Sequence, residues 1–415
     1  MIKTITGRGA AGALALLGLF GAASSAAQEI DVWTLNFSSE AANDALEAIA
    51  EEFEATHEGV DIVWTQRGVD EIKTALRVSA GSDSGPDIFF SWAGLGLGGE
   101  YVNAGMSLPL DKYYERYGWS DSLVPTAAAF ADIYEGGKHG VPFTFKGEAV
   151  YYNKTLFERA GIEGEPGSYE ELVAAAEALK AEGIPAMTFG GTVNWHVMRL
   201  MDVLLETTCG AETHDALIAM EADWSTTDCA AEAFAELQKW SGNYFLKPFM
   251  GIDQAQSFNL FVAGRAAMML EGNWLVQQLA EVADLDDFGI FPFPTGTDRL
   301  YGFAEYHYVS SNSDEPDLAA EFLDYFNSAE VQQKYLGAFA TNSVNADVVY
   351  EDQRPLDAEW NEIFGSFEAM FVNGDQGFPA GVTTEYFRLI NEVASGNLEP
   401  KAAAEAMQTF IADLG

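Results

Sequence analysis

Basic residues are scarce in this chain: 21 lysines and arginines stand against 64 aspartates and glutamates in 415 residues, a formal charge of −43. A field of that sign repels phosphate before contact, which argues against nucleic acid and anionic lipid surfaces as partners. Cysteine is scarcer still, with two residues and no CxxC, so thiol redox catalysis and a zinc ribbon have no support. The five histidines (His57, His139, His196, His214 and His307) form no HExxH and no paired spacing, and neither a metal nor a cofactor is expected. Beyond residue 27 no apolar run reaches the roughly 18 residues that a membrane span needs. Disorder is excluded from the other side, because 48% of the chain is hydrophobic and 13% aromatic. At roughly 100–200 residues per domain, the length suits two or three domains, or two lobes that share a discontinuous chain.

What is present begins with an address. Lys3 and Arg8 form a basic start, Ala10 to Phe20 an apolar stretch, and Ser25-Ala26-Ala27 a small-residue cleavage site, so residues 1–27 read as a signal peptide. Its removal takes two basic residues and no acidic one, leaving 19 against 64, a net −45. No cysteine stands at the junction to carry a lipid, which points to a soluble periplasmic product of a Gram-negative cell. Such acidity suits saline surroundings, where counterions screen the self-repulsion. In an oxidising compartment Cys209 and Cys229 are expected to form a disulfide rather than two buried thiols, worth roughly 3 kcal/mol for a loop of about this length.

Periodicity predicts strands over 30–35, 60–65 and 87–92, alternating with helices over 40–56 and 70–80. This β-α-β-α-β order implies a parallel sheet with right-handed crossovers and ligands beyond its carboxyl ends. The alternation restarts near Val141, with strands over 145–152, 184–189, 265–270, 288–291 and 304–309. Helices are predicted over 169–182, 195–206, 227–242, 255–263, 273–283, 316–327 and 329–336. The absence of a low-complexity tether between the two α/β blocks implies a hinge. Gly94-Leu95-Gly96-Leu97-Gly98-Gly99 satisfies GxGxxG, but Gly105 and Pro109 follow too soon for the long helix of a dinucleotide site.

Four segments carry a resemblance to a known family. GPDIFFSW (85–92), GGKHGVPFTFKGEAVYYNKTLFERAGI (136–162), FVAGRAAMMLEGNW (261–274) and DEPDLAAEFLDYFNSAEVQQKYL (314–336) resemble the extracellular solute-binding proteins of family 1, the maltose-binding-like receptors of ABC importers. The resemblance implies an α/β periplasmic-binding-protein fold whose two lobes close over a ligand, with three chain crossings between them. The crossings would lie near 142–145, 304–307 and 340–342, giving an N-lobe of 28–142 plus 305–341 and a C-lobe of 143–304 plus 342–415. It also implies a monomer that delivers a small carbohydrate to the importer's transmembrane permease subunits.

Sugar recognition needs flat apolar faces and planar polar groups. Trp274 coincides with a position where the family stacks on sugar; its alternative is a core indole. Trp92 ends a strand at the ligand crevice and could stack or pack. The resemblance places Trp195 and His196 at the cleft. Asn36 and Arg67 follow the first two strands at their carboxyl ends. Lys146 stands where relatives place a polar, often acidic, contact, a departure that argues against malto-oligosaccharides. Glu305, with Tyr306 beside it, sits at the second crossing as a ligand or hinge contact. Phe378 and Tyr386 fall where relatives often offer another aromatic, or else pack a helix. No motif assigns a catalytic acid, so a binding protein for a neutral sugar is expected. The alternatives are a carboxylate-dependent glycosidase or a receptor for a polyamine or polyol-like osmolyte.

Overall fold

Strands β1 (Gln28–Leu35), β2 (Val60–Arg67) and β3 (Ile88–Trp92) lie parallel, β2 on one side of β1 and β3 on the other. The computed structural model describes residues 28–37, 39–80, 82, 84–340, 342–351, 353–367 and 369–414; the expected leader, residues 1–27, lies outside them. The crossover helices Glu40–Glu54 and Val69–Ala80 cover the sheet. The first is started by Ser39, whose hydroxyl accepts from Ala42 N–H, and buries Leu46, Ile49 and Phe53 at helical spacing. With Phe322 and Phe326 of the helix Pro316–Phe326 they form the core of the first lobe.

Two long strands tie this sheet to the rest. β4 (Val141–Asn153) and β7 (Arg299–Val309) run antiparallel, with a register shift between Pro142 and Thr144. Proline has no N–H to give the ladder, which accounts for an irregularity at that point. The carboxyl end of β7 pairs with β3. The carboxyl half of β4 pairs with β5 (Met268–Gly272) and β6 (Phe288–Phe291), and the start of β7 pairs with β8 (Ala369–Phe371). Side chains alternate across a strand, so Val150 and Tyr152 of β4 enter one core of the second lobe and Ala149 and Tyr151 another. The larger of these lies among the helices Asn194–Ile218, Asp228–Asn243, Ala380–Ala394 and Pro400–Asp413.

The segment 184–189, expected as a strand, forms only an isolated bridge at Met187. Its backbone is still paired, to Met268 on one side and to Tyr244 and Leu246 on the other, but Pro185 cannot extend the ladder. The helix expected to end at Glu206 continues to Ile218 through a break at Gly210, where φ is 72°. Cys209, just before the break, is bonded to Cys229 at the start of the next helix, with Cα atoms 5.1 Å apart. After residue 341, itself outside the described set, the chain stays on the first lobe: Val344 is in that lobe's core, and Val124 N–H donates to Val344 O. The helix Pro355–Gly365 then packs Leu356, Trp360 and Ile363 into the second lobe.

Candidate functional site

The two lobes enclose a cleft of ≈ 820 Å³. The first lobe contributes Asn36 and Phe37 beyond β1, Asp70 and Lys73 from the helix after β2, and Trp92 at the end of β3. These are the carboxyl ends of parallel strands, where open α/β sheets present their loops. The second lobe contributes Trp195, Arg199, Gln254 and Trp274, and Lys146, Phe303 and Glu305 reach the cleft from β4 and β7.

Trp195 and Arg199 are one helical turn apart and therefore share a face. The Arg199 guanidinium lies 4.5 Å from the centre of the Trp195 ring and 5.0 Å from that of Trp274, a stack of two indoles about one cation. Trp274 can lie there only because residue 272 is glycine: a Cβ on Gly272 would sit 1.9 Å from the indole. Behind the stack, Arg199 Nη1 is 2.5 Å from Glu271 Oε2 and its Nε 3.1 Å from Glu148 Oε2, and both carboxylates are fully buried. Gln254 Nε2 donates to Glu271 Oε1 over 2.8 Å. Burial pushes the Glu148 carboxyl up to about 7, against the pull of Arg199.

His196 belongs to the layer behind the cleft surface. Its ring is buried, Nδ1 accepts from Gly190 N–H at 2.8 Å, and Nε2 faces Glu271 at 3.5 Å. Burial and then the Arg199 charge hold its pKa well below the ordinary histidine range, so the ring is neutral. Lys146 and Glu305 do line the cleft, but as each other's counterion at 3.7 Å. Lys146 Nζ also donates to Phe339 O at 2.9 Å, the Thr144 hydroxyl donates to Glu305, and burial lowers the Lys146 pKa.

Four other residues singled out in the sequence lie away from the cleft surface. Arg67 stacks on Trp33, 3.9 Å from the ring centre. Tyr306 is in the first-lobe core and donates its hydroxyl to Ala127 O. Phe378 and Tyr386 are in the second-lobe core. Tyr386 nonetheless acts on the cleft through Asp202, which accepts from the hydroxyls of Tyr386 at 2.9 Å and Tyr301 at 2.7 Å and from Gly374 N–H at 2.9 Å. Burial pushes the Asp202 carboxyl up to about 7 even with these donors.

The anchored segment after Phe371 is what sequence reasoning missed. Asn373, Asp375 and Gln376 line the cleft, and Asn373 Oδ1, Asp375 Oδ1 and Gln376 Oε1 are buried acceptors with no hydrogen-bond partner in the protein. Buried acceptors of this kind are costly unless something donates to them. The only signal in the sequence is a short polar run between glycines, Asn373-Gly374-Asp375-Gln376-Gly377. Among the described residues no group of three or more His, Cys, Asp or Glu is placed to hold a metal ion, and no helix is long and apolar enough to cross a membrane.

A family model described as bacterial extracellular solute-binding protein matches residues 38–333. A solved structure of a chitin oligosaccharide binding protein superposes with a TM-score of 0.82 at 23% identity, covering 93% of this chain and 98% of that one. An uncharacterized ABC transporter extracellular-binding protein of Pyrococcus horikoshii is 23% identical over 409 residues, 93% of this chain and 88% of its own length. A probable sugar-binding periplasmic protein of Rhizobium meliloti is 25% identical over 300 residues, 68% of this chain and 67% of its own. The structural likeness agrees with two lobes about a cleft, and with a family model that spans most of the chain the conclusion is direct: the chain belongs to the bacterial extracellular solute-binding protein family.

Proposed function

We propose that the chain is the periplasmic receptor of an ABC importer and that it binds a neutral saccharide between its lobes by hinge closure, for delivery to the permease. The carrying observation is the Trp195–Arg199–Trp274 stack facing the cleft with its charge already neutralised from behind. Indole faces suit the C–H side of a sugar ring, and the open acceptors of Asn373, Asp375 and Gln376 suit its hydroxyls. Arg199 is held by two carboxylates and Lys146 by one, while Lys73 sits 4.7 Å over the Trp92 ring. An anionic ligand would have to compete with those buried partners inside a strongly acidic protein. The names of the chitin oligosaccharide binding protein and of the Rhizobium relative point to the same ligand class.

Glu148 and Asp202, the carboxyl groups pushed up to about 7, are fully buried and do not line the cleft; burial also raises the Asp375 carboxyl, which does line it, but the family and the solved structure named above are those of binding proteins. This disfavours the glycosidase alternative. For the hinge, we place the first two passages on the paired strands after Phe145 and before Ala304, since Phe143, Phe145 and Ala304 still pack in the first-lobe core, and the third beyond Tyr350, since residues 342–350 remain against the first lobe. A thermal-shift screen tests the reading, since a ligand that binds only the folded state raises its melting temperature. Neutral oligosaccharides such as xylotriose and diacetylchitobiose are expected to stabilise the chain and to be recovered intact. Stabilisation by polyamines or sugar phosphates alone, or cleavage of the sugar, would overturn it.

A further inference from the structure

The glycine-rich run after β3, which fits no nucleotide site, lies against the other lobe. Gly96 N–H donates to Gln376 O over 2.7 Å, a backbone bond from lobe to lobe. A Cβ on Gly96 would sit 1.9 Å from Phe378 O and 2.9 Å from Asp375 O, and one on Gly94 would sit 2.5 Å from Gln376 O. All of these are backbone atoms, which cannot swing aside as a side chain does. The loop is also fixed to its own lobe: Gly94 N–H donates to the Tyr134 hydroxyl at 3.1 Å, which is 2.8 Å from the Tyr308 hydroxyl. The receiving segment is fixed to the second lobe through Gly374 N–H and Asp202. Gln277 Nε2 also donates across the cleft to Ser39 Oγ, over 2.7 Å.

We infer that Gly96 is an affinity-determining position, because its bare backbone lets the first lobe close onto the same segment, 373–376, that presents acceptors to the ligand. This rests on the receptor reading above. A saccharide that donates to Asn373, Asp375 or Gln376 also meets the first lobe only when Gly96 is docked on the outer edge of that segment, so occupancy and closure favour one another. Gly96 is not among the glycines with positive φ, so alanine is free of backbone strain there while the lobes are apart. The substitution therefore acts on the closed arrangement alone. Gly94, with φ of 132°, would confound strain with closure and is the poorer test.

The experiment compares wild type, Gly96→Ala and Leu95→Ala, the last at an exposed side chain in the same loop, using xylotriose and diacetylchitobiose. Gly96→Ala is expected to keep the melting temperature of the free protein, to weaken the saccharide at least tenfold, and to lose the contraction of the radius of gyration that saturating saccharide causes in wild type. Leu95→Ala is expected to match wild type. In wild type, hydrogen exchange at the Gly96 amide is expected to slow when saccharide is added, a readout that needs no variant to fold. Equal affinity and equal contraction in Gly96→Ala, equal weakening in Leu95→Ala, or unchanged exchange at Gly96 would each overturn the inference. A wild-type chain that binds no neutral saccharide would instead overturn the reading beneath it.

Discussion

On the second lobe, Trp195 and Trp274 lie about Arg199, which lines the cleft with them and is held from behind by the buried carboxylates of Glu148 and Glu271. On the first lobe, Trp92 rests edge-on against Phe90 with the Lys73 ammonium over its face, and Asn36 and Asp70 stand at a strand end and a helix start. The two walls thus differ in how completely their side chains are fixed before a ligand arrives. Groups locked by buried partners lose little freedom on binding. The second lobe is therefore suited to take the ligand first, and the first lobe to close over it.

The largest expected effect comes from removing the cation that holds the second wall together. Arg199→Met leaves Glu148 and Glu271 buried without their cation, and breaking such a cluster costs about 3–5 kcal/mol; urea unfolding measures it. A loss below about 1 kcal/mol would mean that the ion cluster does not hold the platform. Replacing Cys209 and Cys229 by serine is expected to cost roughly 3 kcal/mol of folding stability, while saccharide affinity, read calorimetrically, stays within about twofold. A large affinity loss would show that the disulfide supports the second wall directly.

Trp274→Ala removes about 100 Å² of stacking surface, worth about 2.5 kcal/mol or well over tenfold in Kd. Trp92→Ala is expected to cost less, on the order of tenfold. If Trp92 proves the costlier of the two, the order of the walls is reversed. The smallest expected effect is in pH dependence. Between about pH 4 and 7 the folded protein keeps a proton on Asp202 that the unfolded chain has released, so this group's contribution to stability falls as pH rises through that window. Glu148 acts in the same direction, while buried His196 and His307 act oppositely below about 6.5. Asp202→Asn isolates one group: its melting temperature relative to wild type is expected to rise from pH 5 to pH 8. A constant difference would mean that Asp202 does not titrate in this window.

The difference between the walls also marks what the sequence made legible. Helices 40–54 and 69–80 and the strands beside them were readable because the apolar residues of each recur at the period of its own element, and Ser39 caps the first helix locally. Trp274 was readable through the resemblance of residues 261–274 to the family's segment in which a glycine-bounded tryptophan follows a strand. Arg199 was not, since its partnership with Glu271 spans 72 positions and a lone charge in so acidic a chain looks like surface. Lys146 and Glu305 were each visible as polar groups near a crossing, but their neutralisation of one another depends on the register of β4 against β7. Phe378 and Tyr386 illustrate the reverse: Tyr386 on the helix Ala380–Ala394 and Phe378 just before it pack a core, and the cleft contacts fall on the short polar turn that this core holds.

The most direct test is calorimetric titration of the wild-type chain with xylotriose and with diacetylchitobiose, followed by chromatography of the recovered sugar. One site per chain, sugar returned intact, and an affinity lowered more by Trp274→Ala than by Trp92→Ala are the expected results. No heat with either saccharide, a sugar returned cleaved, or an affinity indifferent to Trp274 would contradict a receptor that holds a neutral saccharide on the platform of its second lobe.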